Sequence, residues 1–570
     1  MTHLVDDPED FATTAMQGYC DIHARLVRST TGGVLRSTVT PHGKVALVIG
    51  GGGGHYPAFA GYVGTGFADA AVAGDVFASP ATRFIRDVAV RAHRGAGILL
   101  GFGNYAGDVL NFGFAAERLR GEGIDVRVLA ITDDVASAPA SERGKRRGGA
   151  GDLAVFKIAG AAAEAGASLD EVERLARHAN ARTFSFGVAF GGCTLPGSKA
   201  PLFDVPEGGM AIGLGIHGEP GIAETRIMPA AELAGLLVGK LLEEAPEAAG
   251  SRVAVILNGL GSTKQEELFV LWTSVSALLR KAGLVVVSPA VGEFVTSLDM
   301  EGCSLTLTWL DAELEPLWLA PCDTAALRLG HAAAASMAPA LAEEIFARQG
   351  WPAASSASQA DGRHIAVGVA HLAHTLHEAE AELGRLDALA GDGDHGQGMA
   401  RGSAAAASAA RDAADAGAGA ASVLAAAADA WADRAGGTSG AIWGLGLRSA
   451  SLCLDDGVAV SPQQVAHSAV HALEQVMALG GAKPGDKTLV DAFAPFAHAL
   501  ASGVEQGLPL SSAWKQASGV ARRAADETAG LVPRLGRARA LAERSRGHRD
   551  AGAVSFALAA ATMGEIMKEQ

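Results

Sequence analysis

The chain has 570 residues, 49% of them hydrophobic and 19% charged, and a formal net charge of −16. That length exceeds what one hydrophobic core serves, so about two to four domains are expected, and the acidic balance argues against a nucleic-acid surface, which needs a basic patch. No run reaches the roughly 18 apolar residues of a membrane span, and the acidic start through Asp10 lacks the apolar core of a signal peptide.

Five cysteines (Cys20, Cys193, Cys303, Cys322 and Cys453) are scattered without a Cys-x-x-Cys pair. They read as small apolar fillers in a reducing, cytoplasmic setting, not as staples or a zinc site. The 74 glycines and scarce aromatics suit closely packed helices and many backbone turns.

From about residue 15 to 335, short apolar runs alternate with amphipathic stretches. Lys44–Ile49, Ile98–Leu100, Val126–Ile131, Val253–Leu257, Leu284–Val287 and Ser304–Thr308 read as buried strands. Ser168 and Glu171 form a capping pattern that opens a helix toward Ala179. The pattern predicts an α/β domain over residues 1–335, in two lobes (about 15–190 and 191–335).

The first strand runs into the glycines Gly50 to Gly54 and then His55, Tyr56 and Pro57. Such a run permits close backbone approach to a ligand, but it lacks the spacing of a dinucleotide-binding turn. Asp108 and His217 lie in further Gly-rich settings, Asp108 just after a strand. Any one of the three alone is more often structural than catalytic; their joint occurrence points to a small-molecule site.

Residues 336–362 lose the α/β rhythm and carry small and polar residues, the composition of a linker. Residues 363–570 then show no strand pattern, and an all-helical domain is expected. The Ala-rich stretch Ala404–Ala435 has helix formers at helical spacing. Ser461, Pro462 and Gln464 supply an N-cap, a first-turn proline and a capping-box glutamine, and Gly480-Gly481 ends that helix. His371, His374 and His377 step around a helix by threes and read as solvated surface, not as a metal ladder.

Early in this domain stand Asp387, Asp392 and Asp394, with Gly391, Gly393 and Gly396 interleaved. A loop there brings hard oxygen donors to one point, and Mg²⁺ fits because it combines a few carboxylates with water and phosphate oxygens. A solvated turn is the alternative. Further Gly-rich breaks follow at Gly436–Gly440, Gly481–Thr488, Gly536-Arg537 and Asp550–Ala553. No Walker A sequence is present, but helix-end loops beside a Mg²⁺ cluster describe a nucleotide seat.

Taken together these segments resemble the two-domain, single-chain dihydroxyacetone kinase family over nearly the whole length. The matching motifs include the glycine run with His55, Asn104–Asp108, Arg146–Gly151, Gly215–Pro220, Leu257–Gly261, Thr296–Gly302, Gly391–Gly396, Gly437–Gly440, Pro484–Asp486 and Ser545–Ala553. The resemblance implies an α/β ketone-binding domain and an antiparallel helical barrel that holds ATP. It also implies that His217 bonds covalently to the ketone carbonyl as a hemiaminal, and that Asp108, assisted by His55, takes the proton of the terminal hydroxyl. Gly52, Gly53, Gly54 and Tyr56 would line that pocket.

For the nucleotide the resemblance implies two Mg²⁺ on Asp387, Asp392 and Asp394. His395, Gly396, Thr438, Ser439, Gly485, Thr488, Arg537, Asp550 and Gly552 would surround ATP. A homodimer is implied too, in which the helical domain of one chain could serve the ketone domain of the other.

Three departures stand out: Tyr56 where the family usually has Glu, Gly103 where many members have Lys, and Ala551 where Pro is common. The first two fall beside the ketone pocket, so the phosphoryl donor is expected to be unchanged while the acceptor could be a four-carbon ketose such as erythrulose. Neutral drift is the alternative for the pair. Two other readings of the chain are a non-catalytic ketone- or nucleotide-binding regulator, and a kinase whose bound ADP is recharged by a phosphocarrier.

Overall fold

The computed structural model describes residues 4–219, 221–247, 249–331, 336–338, 351–389, 393–535 and 545–567. Two compact units emerge, one over residues 1–80 and 84–340 and one chiefly over residues 341–570.

The first unit contains two large sheets and a two-stranded one, in which Cys322–Asp323 pairs antiparallel with Arg328–Leu329. Strands β1 (Val27–Thr30), β2 (Gly33–Arg36), β3 (Ala46–Gly53), β4 (Ala70–Val76), β5 (Ile98–Gly103) and β6 (Val126–Ile131) form a six-stranded sheet in the order β1-β2-β4-β3-β5-β6. Its β4-β3-β5-β6 part is parallel. The seven-stranded sheet uses β7 (Thr183–Ala189), β8 (Gly209–Ile212), β9 (Ala223–Arg226), β10 (Arg252–Gly259), β11 (Val285–Val286), β12 (Ala290–Gly292) and β13 (Gly302–Trp309). It runs β11-β10-β13-β7-β8-β9, with β12 also on β10.

The helices of this unit are α1 (Phe11–Ile22), α2 (Thr82–Ala92), α3 (Ala106–Gly121), α4 (Gly151–Glu164), α5 (Leu169–Ala181), α6 (Ala230–Glu243), α7 (Gln265–Lys281) and α8 (Leu314–Leu319). Ile85 and Val88 of α2 and Phe112, Ala115 and Leu119 of α3 cover one face of the first sheet. Leu233, Leu237 and Leu241 of α6 and Leu268, Val275 and Leu279 of α7 cover the second. Helix α4 packs against strands of both sheets and is buried from Gly151 to Ala163. A helix apolar on every side belongs in such a place. Gly160 is required there, since a Cβ would sit 2.4 Å from the Phe67 carbonyl oxygen.

Two boundaries differ from the sequence reading. The second sheet begins with β7 at Thr183, so the seam between lobes precedes residue 190. The glycine run is not a loop: β3 continues through Gly50 to Gly53, and Gly50 and Gly51 pair with Val72 and Ala73 of β4. Packing explains the composition. A Cβ on Gly51 would lie 2.4 Å from the Phe59 ring, and one on Gly50 2.7 Å from the Val72 carbonyl oxygen.

The second unit is all helix among its described residues. It comprises α9 (Ser356–Glu378), α10 (Glu380–Asp387), α11 (His395–Asp415), α12 (Ala420–Ala435), α13 (Gly437–Ser451), α14 (Pro462–Gly480), α15 (Val490–Glu505), α16 (Leu510–Glu527) and α17 (Ala551–Ile566). Helix α9 packs on α11, each helix from α11 to α17 packs on the next, and α17 closes on α9. That is a ring of helices, and its interior is built on small side chains such as Ala410, Ala427, Ala497 and Ala521 with the stacked Trp431 and Trp443.

The expected linker is shorter than its composition suggested. Ser355 caps α9 by accepting from the Ser358 N–H at 3.1 Å, so residues 356–362 are already helical. Their small size serves packing: Gly362 lies against the Ala418 carbonyl and Val423. His371, His374 and His377 are exposed on α9. The capping box at Ser461 and Gln464 forms as expected, and Gly481 ends α14 with φ +68°. Among the described residues no helix is long and apolar enough to cross a membrane.

Candidate active site

In the α/β unit the predicted residues converge at the carboxyl ends of the adjacent parallel strands β3 and β5, the usual place for a ligand in such a sheet. His55 follows β3, and Asp108 lies in the first turn of α3, which follows β5. His217 arrives from the second sheet, on the loop between β8 and β9. Its Nε2 lies 3.0 Å from Nε2 of His55.

The remaining ring nitrogens are both fixed. Nδ1 of His55 faces the Thr296 carbonyl oxygen at 2.7 Å. Nδ1 of His217 faces Glu219 Oε1 at 3.2 Å, and the His217 N–H donates to Glu219 Oε2 at 3.0 Å. Phe77 stacks on His55 with ring centroids 5.1 Å apart and meets His217 edge-on; Tyr105 meets His217 edge-on at 4.8 Å. The Tyr105 hydroxyl is tied to the Gly148 carbonyl at 2.9 Å. Phe77 takes the left-handed φ of +56°, and so does Leu298 at +52°, whose N–H donates to the Gly54 carbonyl at 2.8 Å. Strained non-glycine backbone of this kind costs on the order of 1–3 kcal/mol and tends to mark functional sites.

A carbonyl oxygen and a carboxylate only accept, so each Nδ1 makes a hydrogen bond when it carries the proton. The short contact between the Nε2 atoms is then a hydrogen bond when one further proton lies between them, a state in which the pair of rings bears a single positive charge. Burial, then the neighbouring His217 charge, pushes His55 down to about 3. Burial alone would raise Glu219, but its hydrogen bond and charge contact with His217, joined by Arg147, hold it at about 2. Arg147 is itself anchored to Asp134 at 2.8 Å. The charges around His217 therefore cancel locally.

Asp108 is different. It is 7% exposed, its Oδ1 has no hydrogen-bond partner among the described residues, and burial pushes it up to about 7 against the opposing pull of Ser79 and His217. A carboxyl that titrates near neutrality can exchange a proton under working conditions. His55 has both ring nitrogens engaged elsewhere, with His217 and Thr296 and not with Asp108. Tyr56, 53% exposed, lies edge-on to Tyr19. A Cβ at Gly103 would come within 3.1 Å of the Tyr105 ring, so glycine there leaves the ring its seat against His217.

In the helical unit His395, buried at the start of α11, spans two other helices. Its Nδ1 reaches Ser439 Oγ of α13 at 3.1 Å, and its Nε2 reaches Ser555 Oγ of α17 at 3.0 Å. Three helix N-termini are thereby gathered, each with first-turn N–H groups suited to an anion. Thr438 and Ser439 occupy the first turn of α13. Gly552 packs against Leu489, so the loop carrying Gly485 and Thr488 is adjacent. The N–H groups of Gly485 and Thr488 donate to Asp491 at 2.5 and 2.7 Å. Asp550 caps α17 through the Ala553 N–H at 2.7 Å, and burial pushes it up to about 7. Gly396 lets α11 press on α10, since a Cβ there would meet the Glu380 carbonyl oxygen at 2.1 Å.

Asp387 accepts from the Gly393 and His395 N–H groups at 2.9 and 3.4 Å. Burial and the charge of Asp387 raise Asp394. A half-buried Asp387 and an exposed Asp394 that repel each other are a donor set that a hard divalent cation fits. Among the described residues no group of three candidate ligands gathers. Asp392 and Arg537 lie outside the described residues.

Several contributors were not singled out from sequence. Phe77 and Ser555 come from distant segments and carry no local signal, and Thr296 opens a matching motif that gives no sign of its contact with His55. Glu219, two residues after His217, sat inside a quoted motif and could have been found by asking what orients that imidazole.

An α/β unit that brings together His55, Asp108 and His217 and a helical unit that gathers helix N-termini and carboxylates are the two parts of a two-domain kinase. A Dak1 domain matches residues 17–326 and a DAK2 domain residues 389–565. The chain is 52% identical over 566 residues to the L-erythrulose kinase of Pectobacterium atrosepticum, covering 98% of this chain and 95% of that protein. It is 52% identical to the D-erythrulose kinase of Mycolicibacterium smegmatis, covering 100% and 99%. The crystal structure of the dihydroxyacetone kinase from C. freundii in complex with AMP-PNP and Mg²⁺ matches with a TM-score of 0.53 and 29% identity, covering 99% of each chain. The chain belongs to the dihydroxyacetone kinase family and is a phosphotransferase with an alcohol group as acceptor.

Proposed function

We propose that this protein uses ATP to phosphorylate a terminal hydroxyl of erythrulose, a four-carbon ketose, while holding the ketose covalently on His217. The observation that carries the reading is the 3.0 Å contact between the Nε2 atoms of His55 and His217, with Glu219 behind His217. When the shared proton moves to the ketone oxygen, the freed Nε2 lone pair of His217 bonds to the carbonyl carbon. The oxygen becomes the hydroxyl of a hemiaminal, and the positive charge stays on the imidazole beside Glu219. The net charge is the same before and after, so no uncompensated charge is created in a buried site. A tether of this kind also holds a substrate too small to bind tightly by surface contact. Glycerol, with no carbonyl, cannot be held this way.

Asp108 then accepts the proton of the terminal hydroxyl, which attacks the γ-phosphoryl group of ATP. His395, Thr438, Ser439, Gly485, Thr488, Asp550 and Gly552 would surround the nucleotide. Asp387, Asp394 and Asp392 would hold Mg²⁺, which supplies charge neutralisation to the phosphates when bound. The five free cysteines fit action in a reducing cytoplasm. Four-carbon selectivity is supported by Gly103, and by relatives at 52% identity that are named erythrulose kinases.

The test is turnover of D-erythrulose, L-erythrulose, dihydroxyacetone and glycerol by purified protein with Mg-ATP. An erythrulose should give the highest kcat/KM and glycerol none. Preference for dihydroxyacetone would overturn the substrate, and His217→Ala turning over at the wild-type rate would overturn the tether.

A further inference from the structure

The loop that joins α14 to α15 turns through Lys487, which takes a left-handed φ of +60°. Glycine makes such a turn with no Cβ to clash, so a lysine there is present for its side chain. Asp491 of α15 braces the turn on both sides, accepting from the Gly485 and Thr488 N–H groups. Within it the Lys487 side chain is directed inward and is 5% exposed.

A lysine ammonium has three protons to donate and accepts nothing. Here it meets three oxygens: the Ser545 carbonyl at 2.6 Å, the Leu531 carbonyl at 3.2 Å and Ser545 Oγ at 3.3 Å. All three are uncharged, whereas a buried lysine is normally paired with an acid. Strained backbone and a buried charge held by neutral oxygens both cost stability. Such costs tend to gather where a residue serves a binding site.

The oxygens belong to the chain that leads into α17. Leu531 follows α16, and the Ser545 carbonyl also accepts the His548 N–H at 3.1 Å. The Asp550 N–H then donates to Thr528 Oγ1 at 2.9 Å, and Asp550 caps α17. Two residues beyond Lys487, Leu489 packs on Gly552 in the first turn of α17. We propose that Lys487 is a positioning residue for the nucleotide: its one ammonium joins the Gly485–Thr488 loop to the approach to α17 and fixes how the two meet the ligand. The inference rests on the assignment of ATP to the helical unit, and adds to it a residue that acts through the chain segments it ties together.

Calorimetric binding of Mg-AMP-PNP to the full chain, together with steady-state kinetics, tests it with Lys487→Gly. Glycine keeps the left-handed turn and removes only the side chain. The nucleotide dissociation constant and the KM for ATP should each rise by about tenfold or more, since hydrogen bonds to a charged group are lost. The ketose KM, and kcat at saturating ATP, should stay within about twofold of wild type. A variant that binds the nucleotide as wild type does, that raises the ketose KM as much as the ATP KM, or that loses kcat with the ATP KM unchanged would overturn the proposal. A wild type that does not bind Mg-AMP-PNP would overturn the assignment of the nucleotide to the helical unit, and the proposal with it. Should Lys487→Gly fail to fold, Lys487→Met, which keeps the stem and loses the ammonium, is read in the same way.

Discussion

Around His217 the charges already cancel: Glu219 stands against the two imidazoles, and Asp134 against Arg147. At the start of α11 they do not, because burial and then the neighbouring Asp387 charge raise Asp394. The first site balances its charges with its own residues; on the proposed function the second would be completed by Mg²⁺. The difference would then reflect what each receives. A neutral ketose would bring no charge to His217, whereas a nucleotide would arrive with phosphates and Mg²⁺ that supply what the carboxylates lack.

The contrast can be broken most directly at His217. His217→Ala should lower kcat/KM for the ketose by at least about a thousandfold, since the tether replaces binding surface with a bond. The same variant should leave nucleotide binding by the helical unit intact, as read by calorimetry. Asp394→Asn should cost about a hundredfold to a thousandfold in kcat. It should also abolish the rise in Tm that Mg²⁺ and nucleotide give wild type, with ketone binding preserved.

The pH profile sharpens the comparison further. Asp108 must be ionised to accept a proton and titrates at about 7, so kcat/KM should rise through pH about 7. Ser79 opposes the upward shift, so Ser79→Ala should move that limb to higher pH. The stability sign is opposite to the activity sign. A raised carboxyl favours the folded state at pH below the ordinary range near about 4, and that contribution fades as pH rises through 7.

A smaller effect is expected at Gly103. Gly103→Ala presses on the Tyr105 ring, whose nearest atom would be 3.1 Å from the new Cβ. KM for erythrulose should rise several-fold while the ATP KM stays fixed. The smallest is structural: Ser461→Ala removes the α14 cap and should cost about 1 kcal/mol, read by denaturant unfolding without change in either KM.

Much of this was legible before any coordinates. Strand Val126–Ile131 was read to its ends because aliphatic residues fill it, interrupted only by Arg127, between polar flanks. The α14 cap was legible because its signal is local. His55, Asp108 and His217 stood out as polar residues in Gly-rich settings, two of them directly after strands. The glycine run was only half understood. Its composition signalled a close approach, but whether a ligand, a side chain or a neighbouring strand does the approaching depends on residues far along the chain. Likewise the small residues of 356–362 look the same in a linker and in a tightly packed helix, and only the loop at Ala418 separates the cases.

By itself the sequence determined two domains of different class, the family resemblance and most of the reactive side chains, because periodicity, caps and motifs are read from neighbours along the chain. The tertiary structure decided the rest. It set His217 against His55 and Glu219 and buried Asp108. It also hid α4 between two sheets. Charge balance and desolvation are properties of groups brought together across the fold, and no local stretch of chain contains them.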